Sequence, residues 1–212
     1  MGKRQERAVT IAVGDGGLVL EGLYVAGVDA ESGGAVIAPP HPLYGGSMES
    51  PVVSELAYAC EKSGLASLRF NWRGVGASGG ESSGEAGDAD ADTDASLVQL
   101  EETVEGPIVA CGYSFGAAAA LRVAVRRLRV RRLVLVSPPV SLLDRDALAQ
   151  LPCGLLLVTG EADAIAPPAD LAAIGRRLEH ARFEAVPDAD HFFAMGLATV
   201  GRVVSDWLSN GE

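Results

Sequence analysis

The sequence predicts an α/β fold: a doubly wound, mostly parallel sheet that begins with an antiparallel hairpin. Short apolar runs alternate with segments of helical spacing from residue 34 onwards, which is typical of repeated strand–helix units. Two earlier apolar runs, 7–13 and 18–26, are joined by a Gly-Asp-Gly-Gly turn and indicate the hairpin. No repeat or linker interrupts the 212 residues, so we expect a single domain over 1–212.

The strands that follow the hairpin are predicted from short apolar runs bounded by glycine, proline or polar residues. The apolar runs of two of these strands, 133–136 and 155–159, are continuous, which is typical of strands buried on both faces of a parallel sheet. In chain order, the predicted strands after the hairpin are 34–38, 65–71, 108–112, 133–136, 155–159 and 182–186.

The helices are predicted from apolar residues that recur every three or four positions. The first predicted helix stops at Gly64, a residue type that favours helix ends. A polar stretch over 74–94 is interpreted as a loop that merges into the second helix. In chain order, the predicted helices are 49–63, one through Leu97, Leu100 and Val104, 115–127, a short one at 142–150, 171–178 and 197–208.

The composition argues against several classes of partner. The net charge of −11 disfavours binding to nucleic acid and to anionic membranes. Six arginines do lie between Arg122 and Arg132, and we interpret them as the solvated face and last turn of a helix, where positive charge suits the dipole. The sequence contains no run of 18 apolar residues, so no membrane span is predicted. The charged N-terminus is not followed by an apolar signal segment, so we expect a cytoplasmic protein.

The three cysteines, Cys60, Cys111 and Cys153, lie in or beside apolar runs. They lack the C-x-x-C or histidine spacing that is typical of metal and redox sites. We therefore expect buried free thiols in a reducing compartment, and no metal site.

The motif Gly112-Tyr-Ser114-Phe-Gly116 follows a predicted strand and precedes an Ala-rich helical run. This layout is typical of a nucleophile elbow, in which a serine lies on a sharp strand-to-helix turn. Glycines flank the serine because such a turn leaves no room for Cβ atoms. A second match at 76–80 is not followed by an apolar helix. We therefore interpret Ser78 as a flexible loop residue and Ser114 as the candidate nucleophile.

Two further candidate side chains, Asp163 and His191, also come a few residues after predicted strands. Ligands of such sheets gather outside the carboxyl ends of the strands, so we expect both side chains to lie near Ser114. A serine needs an adjacent base, which imidazole can supply near neutral pH. A carboxylate then orients the imidazole and stabilises its protonated form. Asp144 remains a rival for the role of the acid.

The oxyanion that forms during acyl transfer needs two N–H donors. One is expected from the amide after the nucleophile, at Phe115. The other is expected from the loop that follows strand 34–38. This loop is rich in proline, which has no N–H, so Leu43 is the first choice and Tyr44 the second.

Aromatic side chains next to these donors and to the nucleophile are the predicted substrate contacts: His41, Tyr44 and Tyr113. His41 is interpreted mainly as a brace for its loop rather than as a proton carrier. The third histidine, His180, ends a predicted helix, where it suits the helix dipole.

The motifs are HPLYGG at 41–46, RFNWRGVGAS at 69–78, GYSFG at 112–116, GEAD at 160–163 and DHFF at 190–193. Taken together, they resemble the α/β-hydrolase superfamily over nearly the whole chain. More narrowly, the chain is similar to the small bacterial members without a lid, the dienelactone-hydrolase-like and predicted-esterase group.

The resemblance implies a Ser114–His191–Asp163 triad that hydrolyses an ester or related acyl bond without a metal or cofactor. One departure is that dienelactone hydrolases carry a cysteine nucleophile, whereas this chain has Ser114 there. Cys111 lies three residues earlier, inside the predicted strand. Lactone specificity is therefore not carried over.

We expect a carboxylesterase-type serine hydrolase that acts on a small soluble substrate. Only the 17 residues 137–153 lie where larger relatives often carry a cap, so an open site and short acyl groups are expected. The acidic stretch 81–94 is interpreted as a solvated loop and helix start, although it would disfavour anionic substrates if it bordered the pocket. Acyl transfer, small-peptide hydrolysis and a non-catalytic binding role remain alternatives, and the oligomeric state stays open.

Overall fold

Within residues 5–210, the part of the chain that the computed structural model describes, eight strands form a single sheet. They are β1 Arg7–Val13, β2 Leu18–Val25, β3 Gly34–Ala38, β4 Ala66–Phe70, β5 Ile108–Tyr113, β6 Val130–Val136, β7 Gly154–Gly160 and β8 Ala181–Val186. The ends of the predicted domain, 1–4 with the start of the charged N-terminus and 211–212, lie outside the described residues.

The strand order and pairing confirm the predicted fold class. The order across the sheet is β1-β2-β4-β3-β5-β6-β7-β8. Strands β1 and β2 form the antiparallel hairpin, and β2 joins β4 in the antiparallel sense. All the remaining pairs of adjacent strands, from β4 and β3 across to β7 and β8, are parallel. The carboxyl ends of β3, β5, β7 and β8 therefore open onto the same edge of the sheet.

Helices cover both faces of this sheet. They are α1 Pro51–Lys62, α2 Ala86–Glu101, α3 Phe115–Ala124, α4 Arg145–Ala149, α5 Pro168–Gly175 and α6 Leu197–Ser209. Helices α1 and α6 contribute to one hydrophobic core, and α2 to α5 contribute to the other. Along β6, Leu133 and Leu135 enter one core while Val134 and Val136 enter the other. Burial on both faces explains why the central strands are apolar throughout.

Helix α2 begins at Ala86, so most of the stretch 81–94, interpreted as a loop and helix start, belongs to the helix. Aspartate is a poor helix former, which is why the acidic run resembled a loop. In the structure, aspartates of α2 form ion pairs with arginines from α3 and from the turn after it. Asp90 pairs with Arg122 at 2.8 Å, and Asp94 pairs with Arg127. These pairs hold α2 against its neighbour.

The arginine cluster that begins at Arg122 has structural partners, and its interpretation as a solvated helix face was only partly right. Arg129 donates to the carbonyl oxygen of Glu101 at the end of α2, at 2.8 Å. Arg132 donates to the carbonyl oxygen of Leu208 near the end of α6, at 2.7 Å. Positive charge at the C-terminus of a helix is favourable because the carbonyl groups there carry partial negative charge.

In the described chain no cap domain is inserted after β6. The 17 residues between Val136 and Gly154 contain only a 3₁₀ turn, Val140–Leu142, and the single-turn helix α4. The edge of the sheet at which β3, β5, β7 and β8 end is therefore left without a covering domain. Within residues 5–210, no helix is long and apolar enough to cross a membrane.

Substituting the buried Asp92 should destabilise the fold by about 2 kcal/mol. This is less than the roughly 3–5 kcal/mol of a fully broken buried ion pair, because Arg73 keeps its second partner, Asp88. Asp92 is 1% exposed. Its carboxylate accepts hydrogen bonds from the guanidinium of Arg73 at 2.7 Å and from the backbone amide of Arg73 at 3.0 Å. The measurement is the free energy of unfolding of Asp92→Asn in urea. The control is Asp94→Asn, whose ion pair is more exposed and should cost less than about 1 kcal/mol. Equal losses in both variants would contradict the prediction.

Candidate active site

The turn between β5 and α3 carries Ser114 in a backbone conformation that is rare for residues other than glycine. Its φ is 53° and its ψ is −118°. A Cβ atom at Gly112 would overlap the carbonyl group of Gly116, and a Cβ atom at Gly116 would overlap the carbonyl oxygens of Ala38 and Pro39. The two glycines of the motif are therefore required by direct backbone packing. Strained backbone of this kind is concentrated at functional sites.

The structure brings Ser114, His191 and Asp163 into one chain of hydrogen bonds. The Oγ atom of Ser114 lies 3.0 Å from Nε2 of His191. The other ring nitrogen, Nδ1, lies 2.9 Å from Oδ2 and 3.0 Å from Oδ1 of Asp163. The three side chains come from the ends of β5, β8 and β7, as the sequence predicted. This geometry allows the imidazole to take a proton from the serine while the carboxylate stabilises the resulting charge.

Asp163 is held as a carboxylate by the donors around it. It accepts from the amides of Ile165 and Ala166 at 2.9 and 2.7 Å. The hydroxyl of Thr159 lies 3.2 Å from Oδ2. Burial opposes ionisation, but the hydrogen bonds from His191 and from the Ala166 amide outweigh it and hold the pKa of Asp163 at about 2. The group beside His191 is therefore negatively charged at neutral pH.

The rival acid, Asp144, lies elsewhere. It is the N-cap residue of α4 and accepts from the amides of Asp146 and Ala147 at 2.9 and 3.0 Å. A helix N-cap accounts fully for an aspartate at this position.

Tyr113 was predicted to contact the substrate, but in the structure it does not line the site. Its side chain is buried, and its hydroxyl donates to the backbone carbonyl of His191 at 2.9 Å. Burial, together with the charges of Asp163 and Asp190, raises the pKa of this phenol. Tyr113 is therefore an anchor for the loop that carries His191, and the prediction of a substrate contact was wrong.

Ser78, the serine of the second G-x-S-x-G match, is a buried structural residue rather than the flexible one predicted. Its Oγ accepts from the amide of Glu21 at 2.9 Å and donates to the carbonyl oxygen of Asn71 at 3.0 Å. Both hydrogen-bonding functions of this hydroxyl are thus used within the scaffold.

The loop after β3 offers a different amide from the one predicted for the oxyanion. The amide of Leu43 donates to Nδ1 of His41 at 3.2 Å, and that of Tyr44 donates to the carbonyl oxygen of His41 at 3.1 Å. The amides of Gly45 and Gly46 also donate within the loop. Residues 39, 40 and 42 are prolines, which have no N–H. Of the amides described in the first part of the loop, residues 39–46, only that of His41 is left without a hydrogen bond, so His41 replaces Leu43 and Tyr44 as the candidate.

His41 braces its loop, in agreement with its interpretation from the sequence. Its ring accepts from Leu43 and lies 4.5 Å from the ring of Phe115 and 4.7 Å from that of Tyr44, measured between centroids. Burial lowers the pKa of His41. Tyr44 itself is 86% exposed, so it is free to meet a ligand at the mouth of the site.

Within residues 5–210, no group of three or more histidine, cysteine or acidic side chains is placed to hold a metal ion. The three cysteines are free and buried.

Comparison with known proteins gives consistent matches. A sequence model of the alpha/beta hydrolase fold matches residues 42–153. An uncharacterized protein of Rickettsia prowazekii is 30% identical, and the match covers 89% of this chain and 84% of that protein. An alpha-beta serine hydrolase homologue from Coxiella burnetii superimposes with a TM-score of 0.82 at 28% identity, covering 98% and 99% of the two chains. A serine hydrolase without a lid from Xanthomonas campestris superimposes with a TM-score of 0.79 at 25% identity, covering 97% of this chain and 94% of that one.

The low pKa of Asp163 predicts a pH-dependent contribution to stability. An aspartate with a normal pKa near 3.9 when unfolded and about 2 when folded stabilises the fold by about 2.5 kcal/mol above pH 4, and most of this contribution is lost as the pH falls to about 2. The measurement is the free energy of unfolding of the wild type and of Asp163→Asn between pH 7 and pH 2. The two curves should converge at the acid end. A constant difference over the whole range would mean that the charge is not responsible.

Proposed function

The chain belongs to the alpha/beta hydrolase fold family, and we propose that it is a serine hydrolase that cleaves an ester or related acyl bond of a small substrate. The observation that carries this proposal is the unbroken hydrogen-bond chain from Ser114 through His191 to Asp163. A serine at a strained turn, in contact with a base that is itself oriented by an ionised carboxylate, is the arrangement that nucleophilic catalysis needs.

The proposed reaction is an acyl-serine route. Ser114 attacks the carbonyl carbon while His191 takes the hydroxyl proton at Nε2, and the charge on the ring is stabilised by Asp163. The oxyanion accepts hydrogen bonds from the amides of Phe115 and His41. The intermediate then expels the alcohol, which takes its proton from His191. A water molecule deprotonated by His191 attacks the acyl-serine, and the acid is released as Ser114 regains its proton.

The rim of the site supports a compact substrate with an apolar part. Among the described residues, six of the eleven exposed large apolar side chains lie just beyond the ends of β3, β6, β7 and β8. Exposed apolar groups that cluster in this way mark binding surfaces. Since no cap encloses them, the acyl group that they contact is short. These side chains are Leu43, Tyr44, Leu142, Ile165, Phe192 and Met195.

The acidic stretch supports a substrate without negative charge. Gly84 packs directly on His41, because a Cβ atom there would lie 2.8 Å from Cε1 of the ring. The nearby Glu81 and Glu85 are exposed. Their negative charge is close to the loop that carries the proposed oxyanion donor, so it disfavours anionic substrates.

Hydrolysis is favoured over acyl transfer and over a binding role. Transfer and peptide cleavage would use the same three side chains, but an uncovered site admits the water that hydrolysis consumes. A binding protein has no need for an ionised acid, a base and a nucleophile in hydrogen-bond contact.

A fluorophosphonate probe should form its adduct on Ser114. Ser114→Ala should lose the adduct and reduce ester hydrolysis by a factor on the order of 10⁴ or more, because the nucleophile is removed. Ser78→Ala, at the other G-x-S-x-G match, is the matched control and should keep both. The measurements are peptide mass spectrometry of the labelled protein and rates on p-nitrophenyl esters from acetate to palmitate, with the short esters faster. An adduct on Ser78, or a folded protein that does not react, would contradict the proposal.

The substitutions His41→Pro and His41→Ala distinguish the contribution of the His41 amide to catalysis from that of its ring. Proline fits the observed φ of −61° but removes the N–H, so kcat should fall by about 10² to 10³, as for loss of one oxyanion donor. Alanine keeps the N–H and removes only the ring, so kcat should fall much less. The measurement is kcat on a short ester for both variants. Equal rates in the two variants would remove the His41 amide from the mechanism.

A further inference from the structure

We propose that Trp72 is a positioning residue for the oxyanion site. Its indole N–H holds the carbonyl oxygen of Pro40 and thereby sets the direction of the His41 amide, which belongs to the same peptide group. This inference rests on the proposed function, because it gives the His41 amide a role in the reaction.

The contact that carries the inference is a hydrogen bond of 2.9 Å from Nε1 of Trp72 to the carbonyl oxygen of Pro40. That oxygen and the N–H of His41 are the two polar ends of one peptide bond, which is trans. In a trans peptide the C=O and the N–H point in opposite directions. A donor that holds the oxygen on the side of the core therefore turns the N–H to the other side of the loop.

The hydrogen bonds described within the loop hold the carbonyl oxygen and ring of His41 and the residues after it, and none of them involves the peptide between Pro40 and His41. Proline fixes φ at position 40, but ψ at Pro40 and φ at His41 still allow the peptide plane to rotate. Such a rotation would exchange the N–H for the carbonyl oxygen, which would repel an oxyanion. Gly46 lies against the same carbonyl, since a Cβ atom there would overlap the oxygen of Pro40. Close packing on one side and the indole N–H together define one position for this oxygen.

Trp72 is itself held firmly and contacts the other oxyanion donor as well. It is 1% exposed, and its ring meets Phe70 edge-on at 4.9 Å and Phe115 at 5.8 Å between centroids. The amide of Phe115 is the first proposed donor. One indole thus packs on the residue that carries the first donor and hydrogen-bonds the peptide that carries the second.

The neighbours of Trp72 hold the far end of the same loop. Arg69 donates to the carbonyl oxygen of Met48 at 2.8 Å, and the amide of Met48 donates to Oδ1 of Asn71 at 2.8 Å. The segment 69–72 therefore fixes the loop at both of its ends. At the near end, Trp72 is the side chain that supplies the polar contact.

The test compares Trp72→Phe with Trp207→Phe. The second variant removes the other indole of the chain, which is buried in α6 beside Arg132, in the opposite core. In Trp72→Phe we expect kcat on a short ester to fall on the order of tenfold, as for one lost hydrogen bond, with KM changed by less than about twofold. The inhibition constant of a trifluoromethyl ketone, whose tetrahedral adduct carries an oxyanion, should rise by the same factor. Trp207→Phe should match the wild type in all three quantities.

An isosteric change decides the case if Trp72→Phe does not fold. In the Trp207→Phe background Trp72 is the sole tryptophan, so it can be replaced biosynthetically by 3-benzothienylalanine, which keeps the bicyclic shape and has sulfur in place of N–H. The same loss of kcat and of inhibitor affinity is expected.

The outcomes separate this inference from the proposed function. An active wild type, with kcat and inhibitor affinity unchanged in the benzothienyl protein, overturns the role of Trp72 alone. A rise in KM with kcat unchanged also overturns it, because that result indicates lost packing rather than a lost oxyanion donor. A wild type that neither hydrolyses esters nor reacts with the fluorophosphonate overturns the proposed function, and the inference with it.

Discussion

Backbone packs directly on backbone at Gly112 and Gly116, and the arrangement of the whole site depends on this contact. The first glycine lies against the carbonyl group of the second, and the second lies against the carbonyl oxygens of Ala38 and Pro39. These contacts join the strand that ends before Ser114, the helix that starts just after it, and the loop that follows β3. A single methyl group at either glycine would push these three segments apart. The strained conformation of Ser114 is therefore a consequence of packing that surrounds it on both sides.

The hydrogen-bond chain through His191 is held in place by atoms of the scaffold. The hydroxyl of Tyr113, next to Ser114, donates to the carbonyl oxygen of His191, so the position of the proposed base is tied to the strand that carries the proposed nucleophile. Backbone amides after β7 keep Asp163 ionised and oriented. Preorganised groups of this kind need no rearrangement when charge develops during a reaction.

The sequence predicts features that depend on chain order, and it fails where a side chain's partner comes from a distant segment. The parallel sheet and the meeting of Ser114, Asp163 and His191 follow from which residues end the strands. The start of α2 was left undefined within 81–94, because its aspartates are stabilised by arginines about 30 residues later in the chain. The roles of Tyr113 and Leu43 were misassigned for a similar reason. The direction of the Tyr113 phenol and the hydrogen bond from the Leu43 amide to the His41 ring both depend on side-chain rotamers. Spacing along the sequence does not predict these rotamers.

The loop after β3 shows how an apolar core can determine polar geometry. Prolines at 39, 40 and 42 reduce the number of conformations that the unfolded loop can lose on folding, which favours a rigid loop. They also remove the amides at positions 39, 40 and 42, and the amides of residues 43–46 bond to residues 41 and 42. The direction of the peptide between Pro40 and His41 therefore depends on an acceptor, the oxygen of Pro40. The donor to that oxygen comes from an indole at the end of the aromatic series Phe70, Trp72 and Phe115. A hydrocarbon ring could fill the same space, but it would leave a carbonyl oxygen without a donor. The polar atom of Trp72 is thus what links packing in the core to the direction of a peptide dipole at the site.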